Sequence, residues 1–101
     1  YYEFPGNFTT NLKGSKNFLQ ISVGVSTQYD DTVMANVDSH QLALRSEILT
    51  IMSEFSSDDI AGRVGKQKLA NALKDGINNV LEKAEGFGGV EHVHFTSFVL
   101  Q

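Results

Sequence analysis

The chain contains no cysteine, a single proline, and no apolar run that approaches the length of a membrane span. Without cysteine, neither a disulfide framework nor a thiolate zinc site can form. The same absence says little about compartment, since cytosolic and bacterial extracytoplasmic proteins can both lack cysteine. A spanning helix needs about 18 or more consecutive apolar residues, and a signal segment needs a basic stretch followed by an apolar one; neither is present. The chain begins at Tyr1 rather than Met, as a processed or partial chain would. A membrane segment in a longer protein therefore stays open. Basic charge is also scarce, with 8 Lys and Arg against 12 Asp and Glu, a net charge of −4 and a pI near 5.2. Nucleic-acid binding usually needs a basic stripe that displaces counterions, so this balance argues against it.

The 101 residues suit one domain spanning 1–101. A domain of this size removes roughly 60–70% of its unfolded surface from water, enough for one core without staples. Residues 1–12 are aromatic-rich and hold the lone proline, Pro5, beside Gly6. Proline cannot donate to a sheet ladder, so this segment reads as an edge strand or an extended arm. Lys13-Gly14-Ser15-Lys16 signals a turn, and the segment after it predicts a hairpin with the N-terminal one. Leu19, Ile21, Val23, Val25, Thr27 and Tyr29 then alternate with polar or small residues, the pattern of a half-buried strand.

The period switches after Asp30-Asp31-Thr32. Val37, Gln41, Leu44, Ile48, Ile51, Met52 and Phe55 fall on one helical face, with the start at either Thr32 or Asp38, where Asp38 and Gln41 are spaced as a capping pair. Ser56 and Asp59 have the same spacing and predict a short connecting helix. Gly62 to Gly65 reads as a flexible joint. A second long helix follows from about Lys66 to Glu85, burying Leu69, Leu73, Ile77, Val80, Leu81 and Ala84 and ending at Gly86, a favourable cap. Gly89 to Gln101 reads as one strand that stops only where the chain does. The expected fold is α+β: a three-stranded, mainly antiparallel sheet packed against two long helices plus the short connecting helix.

Several patterns invite chemistry and most have plainer readings. His92 and His94 share a strand face and could share a metal, but zinc wants a third protein ligand. His40 is the one other histidine, and Glu91 sits on the opposite strand face. Gly65-Lys66 opens a helix, yet a phosphate loop needs Gly at position 60 and Ser or Thr at 67, where Ile60 and Gln67 stand. Asp30-Asp31 and Asp58-Asp59 suit turn and cap chemistry better than hydrolysis. Asn7-Phe8-Thr9 fits a glycosylation acceptor, a pattern too short to carry weight. Tyr1, Tyr2, Phe4 and Phe8 crowd the N-terminal arm, and Phe95 and Phe98 are expected on opposite faces of the last strand; such aromatics cover a core or form a contact surface.

Beyond composition and spacing, the residues resemble a known family. Asn11-Leu12, Phe18-Leu19-Gln20-Ile21-Ser22-Val23, Leu44-Arg45-Ser46-Glu47-Ile48-Leu49, Gly65-Lys66-Gln67-Lys68-Leu69 and Ile77-Asn78-Asn79-Val80-Leu81 occur in its order. The ending Val90 to Gln101 is similar to its closing Val-x-x-Val-x-Phe-Thr-x-Phe-Val-x-Gln pattern, through Val90, Val93, Phe95, Thr96, Phe98, Val99 and Gln101. This is the flagellar basal-body-associated FliL family, and the resemblance runs from Phe8 to Gln101. It implies a stomatin-like (SPFH) periplasmic domain of a bacterial inner-membrane protein, with its N-terminal transmembrane helix outside this sequence. It also implies partnership with flagellar stator units, self-association into a ring when tethered to the membrane, and neither cofactor nor catalytic residues. Arg45, Gly65, Lys66, Leu69, Val93, Phe95, Thr96, Phe98 and Gln101 match family positions and are expected to serve structure first, with Arg45 the candidate for an interface. The histidines at 92 and 94 fall where the pattern specifies nothing. A stomatin-like scaffold for another complex, or a small metal enzyme using His92 and His94, are the alternatives.

Overall fold

The computed structural model describes residues 1–101. Its elements are β1 (Tyr2–Glu3), β2 (Phe8–Asn11), β3 (Phe18–Ser26), α1 (Asp31–Ser39), α2 (Gln41–Ser53), α3 (Gly62–Glu85) and β4 (His92–Leu100). The fold is α+β, with four antiparallel strands where three were expected. The difference lies in the N-terminal segment. Pro5 has no N–H for a ladder and Gly6 turns the chain at φ 71°, so one edge strand becomes two short ones. β4 pairs with β3 from Leu19 to Ser26, so β1 and β2 must share the other edge, opposite Gly24–Val25 and Phe18–Ile21.

The alternation in β3 does what period-2 patterning demands. Leu19, Ile21, Val23 and Val25 are fully buried, and they join one core cluster with Leu44, Ile48 and Met52 of α2 and Leu69, Leu73, Ile77 and Leu81 of α3. Burying a side chain of this kind contributes about 1.5–3 kcal/mol. Phe4 and Phe8 are core residues too, packed edge to face with centroids 5.7 Å apart. Tyr29, expected on the buried face, lies past the end of β3 and is exposed.

The first expected helix is two. α1 starts at Asp31 with Asp30 as N-cap, its carboxylate accepting from the Thr32 N–H at 3.0 Å. The chain bends at His40 (φ −111°, ψ 28°), where α2 begins. Asp38 and Gln41 do not cap a helix. Both turn to the Tyr2 hydroxyl, which donates to Asp38 Oδ1 at 2.9 Å and accepts from Gln41 Nε2. The expected short connecting helix is a turn instead. Its capping pair does form, Ser56 N–H donating to Asp59 Oδ2 at 3.0 Å and Asp59 N–H to Ser56 Oγ at 3.2 Å, but only a single turn follows it.

Gly62 to Gly65 is the first turn of α3 rather than a flexible joint. Gly65 is buried there, and a Cβ would stand 2.4 Å from the Ile60 carbonyl carbon. The helix ends as expected, with Gly86 at φ 82° and Lys83 in the last turn. Ala84, expected in the core, is exposed, while Ala70 and Gly76 are buried. β4 starts at His92, after Gly89 at φ 85° has redirected the chain.

The last strand departs most from expectation. Its register against β3 shifts between Ser22 and Val23: Ser97 stands opposite Ser22, and Phe95 opposite Val23. Thr96 is therefore the extra residue of a β-bulge, which resets the alternation. Phe95 and Phe98 consequently share the helix-facing side instead of lying on opposite faces, with ring centroids 5.4 Å apart.

Candidate interaction surface

The ladder itself decides which backbone groups β4 leaves unpaired. Phe18 and Gln101 exchange both backbone hydrogen bonds, at 2.7 and 2.9 Å. By the alternation of an antiparallel pair, Leu100 and Phe98, opposite Leu19 and Ile21, turn their N–H and C=O groups outward. Beyond the bulge, the Val23 carbonyl accepts from the Phe4 N–H at 2.9 Å, on the far side of β3. The residues opposite Val23 and Val25, which are Phe95 and Val93, therefore also present their backbone groups outward. No strand pairs with that edge.

Alongside it runs α3. Gln67, Ala70, Asn71 and Lys74 on the helix, with His92 to His94 on the strand and Glu91 just before it, line an open groove of about 400 Å³. The Gln67 amide donates to Asn71 Oδ1 at 3.0 Å. Farther along, Lys66 Nζ lies 4.9 Å from the Phe98 ring centroid, a contact of about 0.5–1 kcal/mol at an exposed site. Glu91 is the one acid of the groove, and its carboxylate is turned to the β3–α1 loop, accepting from the Gln28 N–H and from Thr27 Oγ1 at 3.4 Å. Arg63, Lys66, Lys68 and Lys74 follow one another along α3 with no acid between them, although the chain as a whole carries −4.

The opposite edge is closed. Arg45, from α2, donates to the Pro5 carbonyl at 2.8 Å and the Asn7 carbonyl at 3.1 Å, across the break between β1 and β2. Its guanidinium carbon lies 4.0 Å from the Phe8 ring centroid. Burial first, then the bond to Asp38, push the Tyr2 hydroxyl above the usual phenol range, with Arg45 acting in the opposite sense. At the far end, the Ser56–Asp59 turn is tied to the β2–β3 hairpin: Lys13 N–H donates to the Phe55 carbonyl at 2.9 Å, and Asn17 Nδ2 to Ser57 Oγ at 2.9 Å. The bond from the Ser56 backbone holds the Asp59 carboxyl below the ordinary value of 3.8.

The residues singled out in the sequence separate into three places. Lys66, Val93, Phe95 and Phe98 gather along the open edge, where Thr96 makes the bulge and Gln101 closes the ladder on Phe18. Gly65 and Leu69 are interior, and Arg45 stands at the closed edge. His92 and His94 do come together, with ring centroids 6.0 Å apart and His94 Nε2 2.9 Å from Ser26 Oγ. No cluster of three metal-ligating side chains forms. His40 instead meets Glu85 at 2.7 Å. Sequence reasoning missed Gln67, Asn71 and Lys74. Their spacing puts them on one helical face, but only the packing sets that face beside β4.

Residues 1–101 match the family model described as flagellar basal body-associated protein FliL. The chain belongs to that family. The flagellar protein FliL of Bacillus subtilis (strain 168) is 31% identical over 93 residues, covering 92% of this chain and 62% of that protein. The flagellar protein FliL of Aquifex aeolicus (strain VF5) is 26% identical over 101 residues, covering 99% of this chain and 60% of that one. The chain thus spans about three fifths of the length of the curated relatives it matches. Membership agrees with the resemblance carried by the closing strand. No helix of the chain is long and apolar enough to cross a membrane.

Proposed function

We propose that this domain is a non-enzymatic accessory of the flagellar motor that works by binding. The observation that carries this reading is the family match over all 101 residues. The structure supports a binding role in one respect: the outer edge of β4 has no strand paired with it. In this reading the domain stands in the periplasm, held at the inner membrane by a segment outside residues 1–101. The greater length of the relatives leaves room for such an anchor.

The partners are the ion-driven stator units, whose assembly, activation or torque the domain supports. One face packs against the next subunit in a head-to-tail contact that closes into a ring, and another meets the stator. A tether raises the local concentration of subunits, so the isolated domain is expected to be monomeric or weakly associating. Helices on one face of an antiparallel sheet also suit a stomatin-like (SPFH) fold. Superposition on a solved stomatin domain tests that point, and a different strand order would remove it.

The decisive experiment is a deletion strain scored for swimming in soft agar and in viscous medium. Loss of motility under load, restored by the full-length gene, is expected. Normal swimming in both media would defeat the stator role. A tight closed dimer of the isolated domain at micromolar concentration would count against the ring.

A further inference from the structure

We propose that the groove between β4 and α3 is a peptide site, in which an extended acidic segment of a partner protein adds as a strand to the outer edge of β4. This goes beyond the motor reading and does not depend on it, because it rests on the groove alone. Strand addition needs an edge with unpaired backbone groups and a channel wide enough for a second chain. The outward N–H and C=O groups of Val93 and Phe95 supply the first. The space of about 400 Å³ between that edge and α3 supplies the second. Two residues spaced by two along an edge are the unit to which an added strand bonds.

Charge selects the occupant. Lys74 lines the groove and Lys66 stands farther along the same helix, two positive charges against the single negative charge of Glu91, whose carboxylate is turned away to Gln28 and Thr27. Acidic side chains on the incoming strand would meet ammonium groups on the helix wall, while Gln67 and Asn71 offer further polar contacts between them. A second copy of this chain fits less well. β4 carries no acid between His92 and Leu100, and the opposite edge is broken at Pro5 and closed by Arg45. Lysines beside an edge are a known guard against pairing with neutral or basic strands; here the same lysines favour an acidic one. The bulge at Thr96 limits the ladder to the half of β4 that precedes it, and the incoming chain meets Lys66 only where it runs on unpaired beside Phe98.

The test is amide-resolved NMR of the isotopically labelled domain, titrated with a capped hexapeptide of alternating Val and Glu. The expected result is saturable shifts at Val93 and Phe95, slowed hydrogen exchange of the same two amides, and weaker binding at higher salt. Reversing both charges, Lys66→Glu with Lys74→Glu, is expected to weaken binding by about tenfold. Both lysines sit at the surface, and the circular dichroism of the double variant confirms that it is folded. The same peptide carrying N-methyl groups at alternate positions keeps its charge and loses its ladder. Equal binding of that peptide would overturn strand addition, and equal binding of a Val and Lys peptide would overturn the acidic assignment. No binding at millimolar peptide, or shifts of the same amides with domain concentration alone, would overturn the proposal in favour of an empty edge or a second copy.

Discussion

At one edge of the sheet, Pro5 and Gly6 split the strand and Arg45 reaches from α2 to hold the carbonyls of Pro5 and Asn7. At the other, β4 runs for nine residues with its outer backbone groups unpaired. Both edges flank the central strand β3, yet only the first uses a long helix side chain to occupy the exposed carbonyls. Exposed strand edges invite pairing, and proteins normally blunt them. The contrast teaches that closure here is a property of side chains brought from another element, and that where they are missing the edge stays available. The same asymmetry runs through the core: Phe4 and Phe8 under the closed edge are buried, whereas Phe95 and Phe98 under the open one are half-buried.

The largest effect should come from removing an aromatic beneath each edge. Phe8→Ala is expected to cost about 3–5 kcal/mol, and Phe98→Ala roughly half as much because its ring already meets solvent. Urea denaturation of both variants measures the difference, and equal losses would break the comparison. Next is Arg45→Ala, which frees two carbonyls and uncovers the Phe8 ring. It should cost about 1–3 kcal/mol and speed hydrogen exchange from Phe8 to Asn11 while leaving β4 unchanged. Faster exchange in both edges alike would show that Arg45 supports the whole fold rather than one edge.

Deleting Thr96 sharpens the comparison from the other side. It removes the bulge while keeping Phe95 opposite Val23 and Phe98 opposite Ile21, so the fold should survive with a straighter edge. Sedimentation at rising concentration is expected to show stronger self-association than the parent chain, since the bulge is one guard the open edge has. The smallest effect concerns the turn that ties down the closed side. The Asp59 carboxyl is held below its ordinary value of 3.8, so its contribution is complete above that pH and is lost as pH falls through the lowered value. Melting temperature should therefore drop slightly more on acidification for the parent chain than for Asp59→Ala. Parallel acid curves would show that the capping pair contributes nothing to stability.

Much of this molecule was legible in residue order. The alternation from Leu19 to Val25, the turn at Lys13 to Lys16, the long apolar stripe of α3 and its Gly86 cap all follow from local periodicity and backbone preference. The family was legible as well, though through resemblance rather than periodicity, and the family model matches residues 1–101. What failed were features governed by a partner distant in sequence. Asp38 and Gln41 have capping spacing, but Tyr2 lies close enough to take both side chains. Ser56 and Asp59 form their reciprocal bonds, yet they close only a single turn before α3 begins at Gly62, so no separate connecting helix forms. Phe95 and Phe98 look like residues of opposite faces until β3 imposes the bulge at Thr96. Local order determined β3 with its buried side, the hairpin turn before it, and α3 with its cap, because turns and stripes depend on neighbours in the chain. Tertiary structure alone decided that one edge would be closed and the other open beside a basic helix, because hydrogen bonding and charge act through space between residues the sequence keeps far apart.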